Sequence, residues 1–129
     1  QRRKWKTNDG PECVLCPTGT LEGRNHLFFL CNFSMRVWNY LQITWLNTQD
    51  MVQIAHHARK DFNKPFFSEV VFLTWWNIWK VRNDKVFRYI RPTFRQWRND
   101  FVQDIYLLAH RIKSRHREAL LTWIDFLPP

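Results

Sequence analysis

The chain has only three glycines, Gly10, Gly19 and Gly23, and none beyond them. Turns that need a permissive backbone are thus confined to the start, and everything after them is expected to run as helices. Acids are scarce as well: eleven Asp and Glu stand against twenty Lys and Arg, and no two of the eleven are adjacent. A nuclease or ribonuclease H centre needs several convergent carboxylates for two metal ions, so scattered acids among basic neighbours exclude that chemistry. No apolar run is long enough to span a bilayer, because even residues 70–79 are interrupted by Thr74 and Asn77. Internal repeats and low-complexity tracts are missing too.

What remains is a basic, aromatic-rich sequence. With 129 residues, 45% apolar and 17% aromatic, it can bury one ordinary core. The formal charge of +9 points to polyanionic partners, nucleic acid before an anionic membrane surface. The first residue is Gln1 rather than methionine, as expected of a piece cut from a longer chain. The basic, turn-rich start does not read as a secretory leader, so the expectation is an intracellular protein of nucleus or cytoplasm with reduced thiols.

All three cysteines fall in one pattern, Cys13-x2-Cys16-x9-His26-x4-Cys31. Three thiolates and an imidazole opened by a CxxC pair match the ligand set of a closed tetrahedral Zn2+ site; the alternative is one disulfide and a stray thiol. Pro11 and Pro17 flank the CxxC, and Gly19 and Gly23 lie before His26, where the backbone must turn around an ion. A site with four protein ligands leaves no position for water or substrate, so the metal is expected to be structural. His56, His57, His110 and His116 have no cysteine near them and read as surface or packing residues.

The expected fold is all-α. A basic segment and zinc knuckle over residues 1–31 lead into a helical body over 27–129, the two forming one structural unit of about four helices. The first helix is expected over about 27–46, with Phe29, Phe33, Val37, Tyr40 and Leu41 on one face; a short second one follows over about 51–61. The third, over about 68–88, is apolar nearly all round in its first half and is expected to be central, with Trp75, Trp76 and Trp79 in the core. Pro92 separates it from a fourth helix whose stripe is Phe94, Trp97, Phe101, Ile105, Leu108 and Ile112, expected to continue past a bend near Ser114 to Leu120 and Trp123.

The cations cluster. Arg2, Arg3, Lys4 and Lys6 surround Trp5 just before the knuckle, and Arg24 lies within it. Lys80, Arg82, Lys85, Arg88, Arg91, Arg95 and Arg98 span the Pro92 junction with Asp84 as the one acid among them, and a third group surrounds Arg115. Cations interleaved with rings suit single-stranded nucleic acid: charged groups track phosphates while a ring stacks on a base. Arg2, Arg3, Lys4, Trp5, Lys6, Arg24, Arg88, Arg91, Arg95 and Arg98 are the candidate contacts, with solvated helix faces the plain alternative.

Two blocks resemble a known family. Cys13-Val14-Leu15-Cys16 … His26-Leu27-Phe28-Phe29-Leu30-Cys31-Asn32-Phe33-Ser34 … Val37-Trp38 resembles the zinc-binding domain downstream of the reverse transcriptase in plant LINE-type (non-LTR) retroelements, which reads roughly C-x-x-C … E-x-x-x-H-L-F-F-x-C-x-F-S … V-W, with Glu22 at the acidic position. Trp76-Asn77-Ile78-Trp79-Lys80-Val81-Arg82-Asn83-Asp84-Lys85-Val86-Phe87 is similar to the W-x-I-W-K-x-R-N-x-x-x-F segment that follows in those elements. The resemblance implies a non-catalytic accessory module that helps the polymerase engage template RNA or target DNA; the polymerase's own paired aspartates are missing. It also allows a host gene derived from such an element, acting as a protein-interaction or regulatory module, for which exposed aromatic surface on the helices is the sign. Arg82 and Asn83 are expected to hydrogen-bond to a neighbouring segment.

Overall fold

The computed structural model describes residue 15, residues 26–45 and residues 50–129. Among these the secondary structure is helical, with no strand: a π-turn His26–Leu30, then α1 Asn32–Leu41, α2 Met51–Phe62, α3 Phe67–Arg88, α4 Phe94–Ala109 and α5 Ser114–Phe126. The chain caps these helices with what it has. Asp50 accepts the Val52 and Gln53 amides at 3.0 and 3.2 Å to start α2, and Thr93 Oγ1 accepts the Gln96 amide at 3.1 Å to start α4. Pro92 stands just outside that cap, where its missing donor costs nothing.

The shortage of glycine shows at the other ends. Gln42, Asn63 and Tyr89 close α1, α2 and α3 at φ of 59°, 54° and 56°, the left-handed region where a Cβ is unfavourable. Tyr89 is also 88% exposed, so losing its side chain removes little packing. Tyr89→Gly is therefore expected to stabilise the fold by about 1 kcal/mol, the left-handed penalty less the extra unfolded-state entropy of glycine. A thermal melt checks this, and Asn63→Gly should gain less, because asparagine tolerates that conformation.

The first helix is shorter than periodicity suggests. Gln42 turns left-handed, its amide reaching Asn39 O at 3.1 Å and the Ile43 amide reaching Trp38 O at 3.0 Å, so the last carbonyls are satisfied and Ile43 enters the core. The expected continuous last helix is instead two, making five α-helices among the described residues rather than four. At residues 110–113 the Arg111 and Ile112 amides both bond Leu108 O, at 2.8 and 2.9 Å, and Arg117 Nε donates to Ala109 O at 2.6 Å. Those donors close the end of α4 and let α5 fold back.

The core is aromatic. The α4 stripe lies against α3: Trp97, Phe101 and Ile105 are fully buried, and Trp97 stacks on Phe101 with ring centres 4.8 Å apart. Two polar links tie the helices together, Trp97 Nε1 to Thr74 O at 3.4 Å and Asn77 Nδ2 to Asp104 Oδ2 at 3.0 Å. From α5, Trp123 meets Phe62, Phe66 and Phe101 at ring distances of 5.5, 5.8 and 6.3 Å. One expectation fails here. Trp76 and Trp79 lie on the outward face of α3, 46% and 39% exposed, because Val70, Thr74, Asn77, Ile78 and Val81 occupy the inward face. Trp75 is half-buried against Phe28 and Phe29.

No helix among the described residues is long and apolar enough to cross a membrane.

Candidate metal centre and cationic surface

His26 and Cys31 open and close the π-turn. The Cys31 amide bonds His26 O at 2.7 Å, five residues back rather than four. Residues five apart on an α-helix stand about 140° apart around the axis, and the wider π-turn brings them toward one face. Side chains from α1 hold the turn in that shape, Ser34 Oγ donating to Leu27 O and Trp38 Nε1 to Phe28 O. Beneath it, Phe29 meets Trp45 and Trp75 edge-on at 5.3 and 5.7 Å, and Phe28 lies 5.5 Å from Trp75.

Two ligand-type groups are thus held in an apolar layer. Cys31 is fully buried, and His26 Nε2 is buried with no hydrogen-bond partner. An unsatisfied buried polar atom costs about 1–3 kcal/mol, so it calls for an explanation. Trp45 Nε1 and Trp75 Nε1 are in the same condition but are donors only, and Asn77 Oδ1, an acceptor, belongs to an amide already tied to Asp104 on α4. The imidazole nitrogen can instead offer a lone pair, which a metal ion would take up. His26 and Cys31 therefore fit a zinc ion. Cys13 and Cys16 lie outside the described residues, and among the described residues no three His, Cys, Asp or Glu side chains converge.

Of the candidate phosphate contacts, Arg2, Arg3, Lys4, Trp5, Lys6 and Arg24 also lie outside the described residues. Arg88, Arg91 and Arg95 are exposed around the α3–α4 junction, Arg88 with Asp84 Oδ1 at 3.5 Å one turn back. A pair so exposed contributes little to stability and leaves the guanidinium able to exchange partners. Arg98 serves the fold as well. Its Nε donates to Tyr40 Oη at 2.9 Å and to Pro128 O at 3.1 Å, fastening the C-terminal end to α1 and α4. Arg98 is half-buried, and this tie engages only the Nε–H among its five guanidinium donors.

Arg82 Nη1 donates to Asn83 Oδ1 at 2.9 Å, and its guanidinium lies 5.0 Å from the centre of the Trp79 ring. In the same block Asn77, buried and one residue after Trp76, bonds across to Asp104 on α4.

An open groove of 910 Å³ lies where Leu41, Phe62 and Trp123 approach the end of α5, rimmed by Asp61, Lys64 and Arg115. Its charges are of mixed sign. Elsewhere, between α4 and α5, Tyr106 has a raised pKa, because the Asp125 carboxylate accepts its hydroxyl hydrogen at 3.2 Å and repels the phenolate. This solvent-exposed tie lies apart from any cluster of reactive groups.

What the sequence patterns missed is a row of rings on α3. Phe72, Trp76, Trp79 and Phe87 are 61%, 46%, 39% and 70% exposed along the helix's outward side. No protein-family model matches the chain, and no curated protein or solved structure matches it either.

Proposed function

We propose that the chain is a non-catalytic, zinc-binding accessory domain of a retroelement reverse transcriptase that engages single-stranded nucleic acid, RNA before DNA, through its phosphates. Zinc would be held by Cys13, Cys16, His26 and Cys31, and would supply structural crosslinking rather than reaction chemistry. The orphaned His26 Nε2 and the buried Cys31, at the two ends of one π-turn, support the metal part of this reading, together with the likeness of two sequence blocks to the retroelement domain. For nucleic acid, the support is the exposed trio Arg88, Arg91 and Arg95 in a chain of charge +9.

The test is a salt titration with single-stranded RNA. If four or five cations meet phosphates, log K falls with log salt at a slope of roughly −3 to −4, at ~0.7 per contact. Changing Arg2, Arg3, Lys4 and Lys6 to glutamine is expected to flatten the slope at unchanged melting temperature. An unaltered slope would place binding on Arg88, Arg91 and Arg95. No binding at low salt would refute the reading.

A second reading has its own observation. The exposed rings of α3 are the sign expected of a protein-interaction module.

A further inference from the structure

Tyr89 holds a backbone conformation better suited to glycine. It closes α3 at φ 56°, and its amide and that of Ile90 both bond Asp84 O, so the helix end pins it in the left-handed region. That region is unfavourable for a residue with a Cβ, and a side chain 88% exposed offsets none of the strain by packing. Strain that the fold does not use points to a role outside folding.

The charge around the ring is of one sign. No Asp or Glu occurs between Asp84 and Asp100, while Lys85, Arg88, Arg91 and Arg95 are all exposed in that interval. Lys85 and Arg88 lie in the last turn of α3, where cations suit the helix dipole, and Arg88 meets Asp84 at 3.5 Å. Arg91 and Arg95 have no such duty. Among the described residues neither makes an ion pair or a side-chain hydrogen bond, and Arg95 stands in the first turn of α4, where the dipole disfavours a cation. Arg91 follows Tyr89 by two residues, so the two Cα atoms are at most about 7 Å apart. Packing brings one more cation to this end of α4, the Arg36 guanidinium of α1, 4.4 Å from the centre of the Phe94 ring.

We infer that the α3–α4 junction is a single-stranded nucleic-acid site in which Tyr89 stacks on a base while Arg91 and Arg95 hold the flanking phosphates. The inference rests on the nucleic-acid reading and adds to it a ring and a place on the helical body. Stacking needs one open ring and accepts any base, because every base has a π-face. A duplex is a poorer occupant, since its bases are already stacked on one another. An anionic membrane surface would also attract the cations, but entering it takes a continuous apolar face. Arg88 and Arg91 interrupt the one that Phe87, Tyr89 and Ile90 begin.

The test titrates the full chain, by anisotropy, against a labelled RNA of about twelve nucleotides and an abasic strand of the same length and charge. Tyr89→Asn removes the ring and keeps a residue that accepts the left-handed conformation. It is expected to weaken RNA binding about tenfold and to leave the abasic strand and both salt slopes unchanged, because stacking releases no counterions. Tyr89→Phe should bind like the parent, and Tyr89→Gly, the more stable protein, should bind as weakly as Tyr89→Asn. Arg91→Gln with Arg95→Gln should reduce the steepness of log K against log salt by about 1.4 on both strands, at ~0.7 per contact. RNA binding that survives Tyr89→Asn, or that falls equally for the abasic strand, would overturn the inference and leave the nucleic-acid reading to the N-terminal cations. A parent that binds neither strand at low salt would overturn both. Two other results would overturn the junction site alone: an unaltered slope in the double arginine variant, or tighter binding to phosphatidylserine vesicles than to RNA.

Discussion

His26→Phe is expected to release zinc and to cost several kcal/mol, even though it removes a buried polar atom that has no hydrogen-bond partner. The two effects have opposite signs, which makes the variant decisive. If the imidazole were only packing, phenylalanine would relieve a desolvation cost of about 1–3 kcal/mol in a layer already built of Phe28, Phe29, Trp45 and Trp75, and the change would be neutral or stabilising. If Nε2 binds zinc, the variant loses part of a coupled folding energy that reaches ~10–16 kcal/mol in small zinc domains. Metal analysis should find one zinc ion per parent chain and none in His26→Phe or Cys16→Ser. Near-ultraviolet circular dichroism should lose signal on chelation, because Trp45 and Trp75 pack beneath the π-turn. A metal-free parent, or a Cys16→Ser variant that keeps its zinc, would remove the metal centre.

Periodicity locates the middle helices well along the chain. The second helix, expected over about 51–61, spans Met51–Phe62; the third, expected over about 68–88, spans Phe67–Arg88. The α4 stripe is legible residue by residue, since Trp97, Phe101 and Ile105 recur at four-residue steps and are buried. Legibility fails where apolar residues surround the helix. In α3 the periodicity has two solutions, and hydrophobicity alone favours the tryptophans for the core. The observed inward face is smaller, with Val70, Thr74 and Asn77, because α4 contributes Trp97 and Phe101 and leaves room for little else. The helix ends are hidden for another reason. A left-handed glutamine carries no signature comparable to glycine, so the stop at Gln42 can be read only from the backbone.

In the candidate site, spacing singles out His26 and Cys31, and the structure adds the π-turn whose backbone bond joins them. That turn has no local signature. Its i→i+5 bond depends on Ser34 and Trp38 capturing the Leu27 and Phe28 carbonyls from the following helix, an arrangement that spacing between ligands does not encode. Arg98 shows the converse limit, since nothing in a basic run says which cation also ties a tyrosine hydroxyl and a carbonyl near the end of the chain.

The two tryptophans Trp97 and Trp79 should separate sharply under mutation. Trp97 is fully shielded from solvent, stacks on Phe101 at 4.8 Å, meets Tyr40 and Phe94 and donates to Thr74 O, so Trp97→Ala empties a large volume between α3 and α4 that neighbouring rings cannot fill. The expected loss is ~3–5 kcal/mol, as for other large aromatic truncations, a substantial part of the ~5–15 kcal/mol that holds a domain folded. Trp79 is 39% exposed, and the Arg82 guanidinium over its ring supplies an attraction of ~0.5–1 kcal/mol at such a site. Trp79→Ala should therefore cost only about 1 kcal/mol, even though the residue lies in the block that resembles the retroelement segment. Urea titration gives both numbers, with the midpoint falling and the slope unchanged if each variant keeps two-state behaviour. Equal losses would mean that the outward row of α3 is packed within the domain.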